Sequence, residues 1–408
     1  MSSRLHFPQH APLLSGEVDS VVLHSNLPPL RLKGRGVLPV IQGGMGVGVS
    51  ARRLAGTVAL HGAVGTLSSV DLRRHHPDLM AQTARCLDKE RINAANLTAL
   101  DREITAAKAI SQGNGMIAVN VMRAVSEYAS YVRQACASGA DAIVVGAGLP
   151  LDLPELTANY PDIALVPILS DVRGLSVVLK KWMRKGRLPD AIVIEHPRFA
   201  GGHLGASSIA DLGDPRFDFE RVLAEAASLF QDLGIEGEKV PLILAGGISS
   251  HDAVRHVVSL GASAVQIGTP FAVTQECDAH PNFKKVLAEA RPEDLVTFVS
   301  VAGLPARAVR TPWLNTYLNR EARAQSHASA RARCIMAFDC LTTCGLRDGI
   351  AKIGQFCIDN HLAAALRGDM KKGLFFRGAG VLPFGKAIRS VRELLEYLLS
   401  GTRPALLG

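Results

Sequence analysis

Eight short apolar runs recur between residues 37 and 267: Val37–Gln42, Ala63–Leu67, Met116–Val121, Ala142–Val145, Ala164–Leu169, Ala191–Glu195, Pro241–Ala245 and Ala264–Ile267. Most are continuous rather than alternating, the pattern of strands covered on both faces, and an all-parallel sheet follows. The stretches between them suit helices: Ala51–Leu60, Glu127–Ser138, Leu175–Lys185, Phe219–Leu233 and His251–Leu260. The Ser249-Ser250 pair supplies an N-cap for the last of these and Gly261 a stop. Eight successive β/α units predict a (β/α)8 barrel, with an open doubly wound sheet as the alternative, because pattern alone does not show closure. The connection Ser68–Gly115 is longer than one helix and loop require, which predicts an extra helix near Asn96–Ile110. After Phe271 the text becomes helical and irregular, rich in Ala and Arg. The chain therefore divides into an N-terminal extension (1–30), a barrel (31–274) and a helical cap with C-terminal helices such as Ser390–Leu399 (275–408).

Composition changes this picture little. The 408 residues suffice for a barrel and a smaller appendage, and 38 glycines with 48% hydrophobic residues suit an α/β protein with many tight turns. No run approaches the roughly 18 apolar residues of a membrane span, and Met1–Asn26 lacks an apolar signal region, so a cytoplasmic protein without a membrane partner is expected. Seven cysteines in a chain of this size predict reduced thiols rather than a disulfide framework. The net charge of +8 resides in the last quarter: Gly303–Gly408 carries 16 Lys and Arg against 7 Asp and Glu, leaving 29 against 30 before it. Such a surplus suits a phosphorylated ligand or an acidic carrier, or is simply a solvated helical surface. No basic run interleaved with aromatics argues for nucleic acid.

The residues that follow parallel strands carry a barrel's chemistry. The first run leads into Gln42-Gly43-Gly44-Met45-Gly46, where paired glycines let backbone approach a flat ligand, or merely make a tight turn. Asn120 ends the third run with an amide able to match ring carbonyl and N–H groups. Ala245-Gly246-Gly247-Ile248 and Gln266-Ile267-Gly268-Thr269 end the last two runs side by side, each before a helix start. That is the arrangement of a barrel phosphate site. The sixth run enters Glu195-His196-Pro197-Arg198-Phe199-Ala200-Gly201-Gly202-His203. The small residues before His203 would let its imidazole stand over a flat cofactor, and a histidine suits proton transfer. His196, beside Pro197, ranks second.

With these motifs in order, residues Leu38–His280 resemble the nitronate monooxygenase family, formerly called 2-nitropropane dioxygenases, whose relatives include FMN-dependent enoyl-acyl-carrier-protein and quinone reductases. The resemblance rests on Ile41–Met45, Val119-Asn120, Ala200–His203, Ala245–Ile248 and Gln266–Thr269. It implies non-covalent FMN in a barrel bordered by Gln42, Gly43, Gly44, Met45, Asn120, Glu195, Gly201, Gly202 and Gln266, with its phosphate at Gly246, Gly247, Gly268 and Thr269. It also implies His203 as the catalytic histidine, either assisting α-proton chemistry or binding an anionic nitronate. The implied reaction is oxidation of alkyl nitronates by oxygen to carbonyl compounds and nitrite. The alternative is an NAD(P)H-dependent reductase of an enoyl thioester or quinone, and a barrel that binds flavin without turnover is a third reading. A homodimer is left open. One departure stands out: in the family Gly and smaller apolar residues follow the acidic residue of strand six, whereas His196–Phe199 intervene here, and Arg198 becomes a candidate for a substrate anion or a surface ion pair.

Cys334, Cys340, Cys344 and Cys357 cluster in the C-terminal region. Thiolates so grouped can ligate an iron–sulfur cluster or zinc, but Ala337 stands where a Cys-x-x-Cys ligand would be needed, so plain thiols and no metal are the expectation.

Overall fold

In the computed structural model the described residues are 27–329, 334 and 338–404; most of the N-terminal extension lies outside them. Eight parallel strands close into a barrel. They are β1 (Val40–Gln42), β2 (Val64–Ser68), β3 (Met116–Met122), β4 (Ala142–Gly146), β5 (Ala164–Leu169), β6 (Ile192–Glu195), β7 (Leu242–Ala245) and β8 (Ala264–Ile267). Closure is made by β8 pairing with β1, Gln266 opposite Ile41. The open doubly wound sheet is thereby excluded.

The continuous apolar runs have a direct cause in this geometry. On β3, Met116 and Ala118 pack inside the barrel with Ile41, Val64, Val144, Val166 and Val193. Ile117, Val119 and Val121 pack outward against the helix layer. Both faces are dry, so neither tolerates polar alternation. Residues Val37 to Pro39, assigned to the first barrel strand by pattern, belong partly to a hairpin of Leu30–Leu32 with Arg35–Val37, whose Leu30, Leu32 and Val37 join the interior cluster. The long connection after β2 contains helix Lys89–Ser111, begun by Asp88 accepting from Arg91 N–H. The C-terminal helix Val391–Ser400 starts with Ser390 and Glu393 in reciprocal capping bonds and stops at Gly401. Among the described residues no helix is long and apolar enough to cross a membrane.

The region after Thr274 adds to its helices a β-hairpin that the pattern did not predict. Strands β9 (Leu295–Val299) and β10 (Pro305–Val309) pair antiparallel, and β10 also pairs with the two-residue strand Gly202–His203, Ala306 opposite His203. The cap is thus hydrogen-bonded to the loop after β6.

Candidate active site

One cavity of about 300 Å3 opens at the C-terminal ends of the strands. Of the residues nominated from sequence for the catalytic and flavin sites, Gly43, Gly44, Met45, Asn120, Glu195, Gly201, Gly202, His203, Gly246, Gly247, Gln266, Gly268 and Thr269 line it, and Gln42, like the lower-ranked His196 and Arg198, does not. Gln42 is fully buried and bridges two strands instead. Its Nε2 donates to the carbonyls of Gly43 and Thr66, and its Oε1 accepts from Thr66 N–H at 2.9 Å. Because β1 and β2 share a single ladder pair, Ile41 with Val64, this amide replaces missing backbone bonds.

The cavity walls are stripped of side chain where a flat ligand would lie. A Cβ on Gly44 would come within 2.3 Å of the Asn120 Cβ. Gly246 (φ +99°) and Gly247 (φ +78°) hold left-handed backbone, and a Cβ on them would meet the His196 carbonyl at 2.8 Å and the Phe199 Cβ at 2.9 Å. Among the described residues the N–H groups of Gly247, Ile248 and Gly268 have no protein acceptor. Helix His251–Ser259, capped by Ser250, follows directly. Thr269 Oγ1 accepts from Gly378 N–H at 3.0 Å, which leaves its hydroxyl hydrogen to donate. Convergent donors without acceptors fit a phosphate.

The ring end shows the opposite imbalance. Gln266 Oε1 is buried without a hydrogen-bond partner. No cation or donor pairs with Glu195 among the described residues, and burial pushes its carboxyl up to about 7. Acceptors left over beside a glycine-lined slot fit the hydroxyl and N–H donors of a flavin. The raised value has a stability consequence for the flavin-free protein. The folded state keeps a proton on Glu195 that the unfolded chain releases near 4.5, so this group lowers stability as pH rises from that value through about 7. Glu195→Gln is expected to raise the apoprotein's Tm at pH 8 and to lose that advantage toward pH 5, as scanning calorimetry at the two pH values would read.

His203 enters from the two-residue strand paired to β10. Its Nε2 lies 2.9 Å from Ser300 Oγ and its ring 5.9 Å from that of Phe376. Burial lowers its pKa to about 4, so the imidazole is neutral at ordinary pH. A Cβ on Gly201 would meet Gly378 N at 2.5 Å. The intervening residues after Glu195 form a turn in which Phe199 and Ala200 N–H groups both return to the His196 carbonyl. That turn brings Phe199 and Ala200 to the cavity, while His196 is buried outside it between Phe199 and Phe219. Arg198 lies beyond the cavity lining too, its guanidinium over the Phe199 ring.

Several lining residues carried no sequence signal. Segment Phe376–Gly380 covers the glycine cradle: Ala379 N–H donates to the Phe199 carbonyl at 3.0 Å, and buried Arg377 donates to the Leu287 carbonyl at 3.0 Å. Asp359 also lines the cavity, ion-paired to Arg74, which also holds Asp71. Burial and the Asp359 charge push Asp71 up to about 7. Of the four clustered cysteines Cys340 alone lines the cavity, and burial pushes its thiol well up. Among the described residues no three His, Cys, Asp or Glu side chains are grouped to hold a metal.

The family model described as nitronate monooxygenase matches residues 33–401. A probable nitronate monooxygenase of Bacillus subtilis is 27% identical over 289 residues, covering 68% of this chain and 77% of that protein. The nitronate monooxygenase of Pseudomonas aeruginosa is 32% identical over 165 residues, 40% of this chain and 46% of that one. Among solved structures, nitroalkane oxidase from Streptomyces ansochromogenes superposes with a TM-score of 0.59 at 18% identity over 92% of this chain and 96% of its own. FabK from Thermotoga maritima does so with 0.58 at 19% identity over 93% and 94%. At such identities the structural likeness concerns the fold.

Proposed function

Because this chain belongs to the nitronate monooxygenase family, and is therefore a flavin-dependent oxidoreductase, we propose that it holds FMN in the barrel-mouth cavity and uses oxygen to convert alkyl nitronates to carbonyl compounds and nitrite. The observation that carries this reading is His203: a neutral imidazole on a glycine-cleared wall of a cavity whose two ends offer unmatched donors and unmatched acceptors.

In this reading Gly246, Gly247, Gly268 and Thr269 take the phosphate through backbone N–H groups and one hydroxyl. Gly43, Gly44, Met45 and Asn120 border the ring. Glu195 and Gln266 accept from ribityl or ring donors. Flavin chemistry supplies an electron acceptor for the substrate and reactivity toward oxygen. The protein's share is orientation and exclusion of water. Val47, Val49, Val70, Val125 and Leu362 make much of the remaining wall apolar, which suits a short alkyl chain and a dry reaction site. His203 faces the nitro group. The seven free thiols suit a reducing, cytoplasmic setting.

Stopped-flow mixing with an alkyl nitronate is expected to bleach the flavin in the absence of oxygen and to release nitrite in its presence, with NAD(P)H alone causing no comparable bleaching. Rapid bleaching by NAD(P)H together with no nitrite from any alkyl nitronate would overturn this proposal and favour reduction of an enoyl thioester or quinone.

A further inference from the structure

Ser300 ties the cap to the histidine's chemistry. It directly follows β9 and opens the turn to β10, is fully buried, and has its backbone fixed on both sides. Its N–H donates to the Leu304 carbonyl at 2.9 Å, and its own carbonyl accepts from Gly303 N–H at 3.0 Å and Gly354 N–H at 3.1 Å. The hydroxyl therefore sits on a rigid support. Two groups reach it: His203 Nε2 at 2.9 Å and Ala302 N–H at 3.3 Å.

A hydroxyl has a single hydrogen and two lone pairs. Ala302 uses a lone pair. Among the described residues the one acceptor in reach of the hydrogen is His203 Nε2. Were Nε2 protonated, it would also donate to Ser300 Oγ, and a buried hydroxyl hydrogen would be left with nowhere to go. Hydrogen-bond balance thus puts the imidazole proton on Nδ1, the ring nitrogen without a protein partner, on a residue that lines the cavity.

We propose that Ser300 is a positioning residue: by donating to Nε2 it fixes the tautomer of His203 that presents Nδ1–H to the substrate. This rests on the nitronate reading above and narrows it. A neutral ring with its only basic nitrogen occupied cannot take an α-proton, but it can donate a hydrogen bond to a nitro oxygen that already carries negative charge. Burial, which holds the imidazole uncharged, acts in the same direction.

Long-range proton–nitrogen spectra of the holoenzyme, labelled in the histidine rings, read the tautomer directly. The His203 signal, assigned by its loss in His203→Asn, is expected to show the proton on Nδ1. Ser300→Ala is expected to give mixed tautomers and Ser300→Thr to restore one. Turnover of a preformed nitronate gives a second readout, since an asparagine amide nitrogen takes the place of Nδ1 and a glutamine amide that of Nε2. His203→Asn is expected to stay within about tenfold of the parent in kcat/KM and His203→Gln to fall by about a hundredfold or more. A proton on Nε2 in the parent, or equal losses in the two amide variants, would overturn the assignment. The spectrum does not depend on turnover. Nδ1–H in a protein that releases no nitrite would defeat the nitronate reading and leave the role of Ser300 in place.

Discussion

Gly44→Ala is expected to cost the protein most of its flavin affinity while leaving it folded. The added Cβ would sit 2.3 Å from the Asn120 Cβ and 3.0 Å from its Cγ, and neither partner can step aside. Asn120 is in the interior of β3, paired through Ser68 on β2 and Val144 on β4. Gly43 N–H donates to the Ile267 carbonyl at 2.9 Å, and Met45 is held by Ser50. The loop must therefore move toward the cavity, into the space proposed for the ring. Overpacking of this kind costs about 1–3 kcal/mol, and if it is charged against binding, affinity falls by roughly five- to 150-fold. Titration of apoprotein with FMN by fluorescence quenching, with circular dichroism as a check on folding, measures this. Unchanged affinity in a folded variant would show that the ring does not lie against Gly44.

The barrel was legible because its strands are buried on both faces. Met116 and Ala118 fill the interior while Ile117 and Val119 meet helices, and the resulting unbroken runs stand out against the polar turns between them. The glycine cradle was legible for a related reason: Gly246 and Gly247 need backbone that other residues avoid, and they directly follow a strand. Gln42 has the setting of a ligand contact, an amide beside two glycines at a strand end, while its donor and acceptor match the backbone of Thr66 on the neighbouring strand. What stayed hidden depends on contacts between distant parts of the chain. The hairpin β9–β10 is made of two five-residue runs inside text of helical composition, and its importance comes from pairing with Gly202–His203. Ser300 meets His203 across 97 positions, and Arg74 meets Asp359 across 285. Local periodicity carries no trace of such pairs, since each residue alone reads as an ordinary turn serine or surface ion.

Gly65→Ala is expected to produce the largest loss of stability of any substitution considered above, although it touches no site residue. Gly65 is the second residue of β2, and a Cβ there would overlap the Ala55 carbonyl oxygen at 1.8 Å and the Ala55 Cα at 2.8 Å. These are backbone atoms of helix Arg52–Leu60, whose Leu54, Ala55, Val58 and Ala59 are buried in the same layer. No rotamer change relieves the overlap. The helix must lift from the strand, and the packing of its whole buried face goes with it. A loss of about 3 kcal/mol or more is expected, read as a lower urea midpoint with an unchanged slope. Gly237→Ala is the matched control: nothing lies within 4 Å of its added Cβ and its φ is not positive, so it should fall within about 0.5 kcal/mol of the parent. Equal stability of the two variants would show that helix and strand are not in such close contact. The contact bears on function because β2 ends in Ser68, whose N–H donates to the Ser50 carbonyl at 3.0 Å and whose hydroxyl accepts from Gly48 N–H at 3.3 Å. Lifting the helix displaces the strand end that anchors the Met45–Ser50 loop, so residual folded Gly65→Ala protein should also bind flavin more weakly than the Gly237→Ala control.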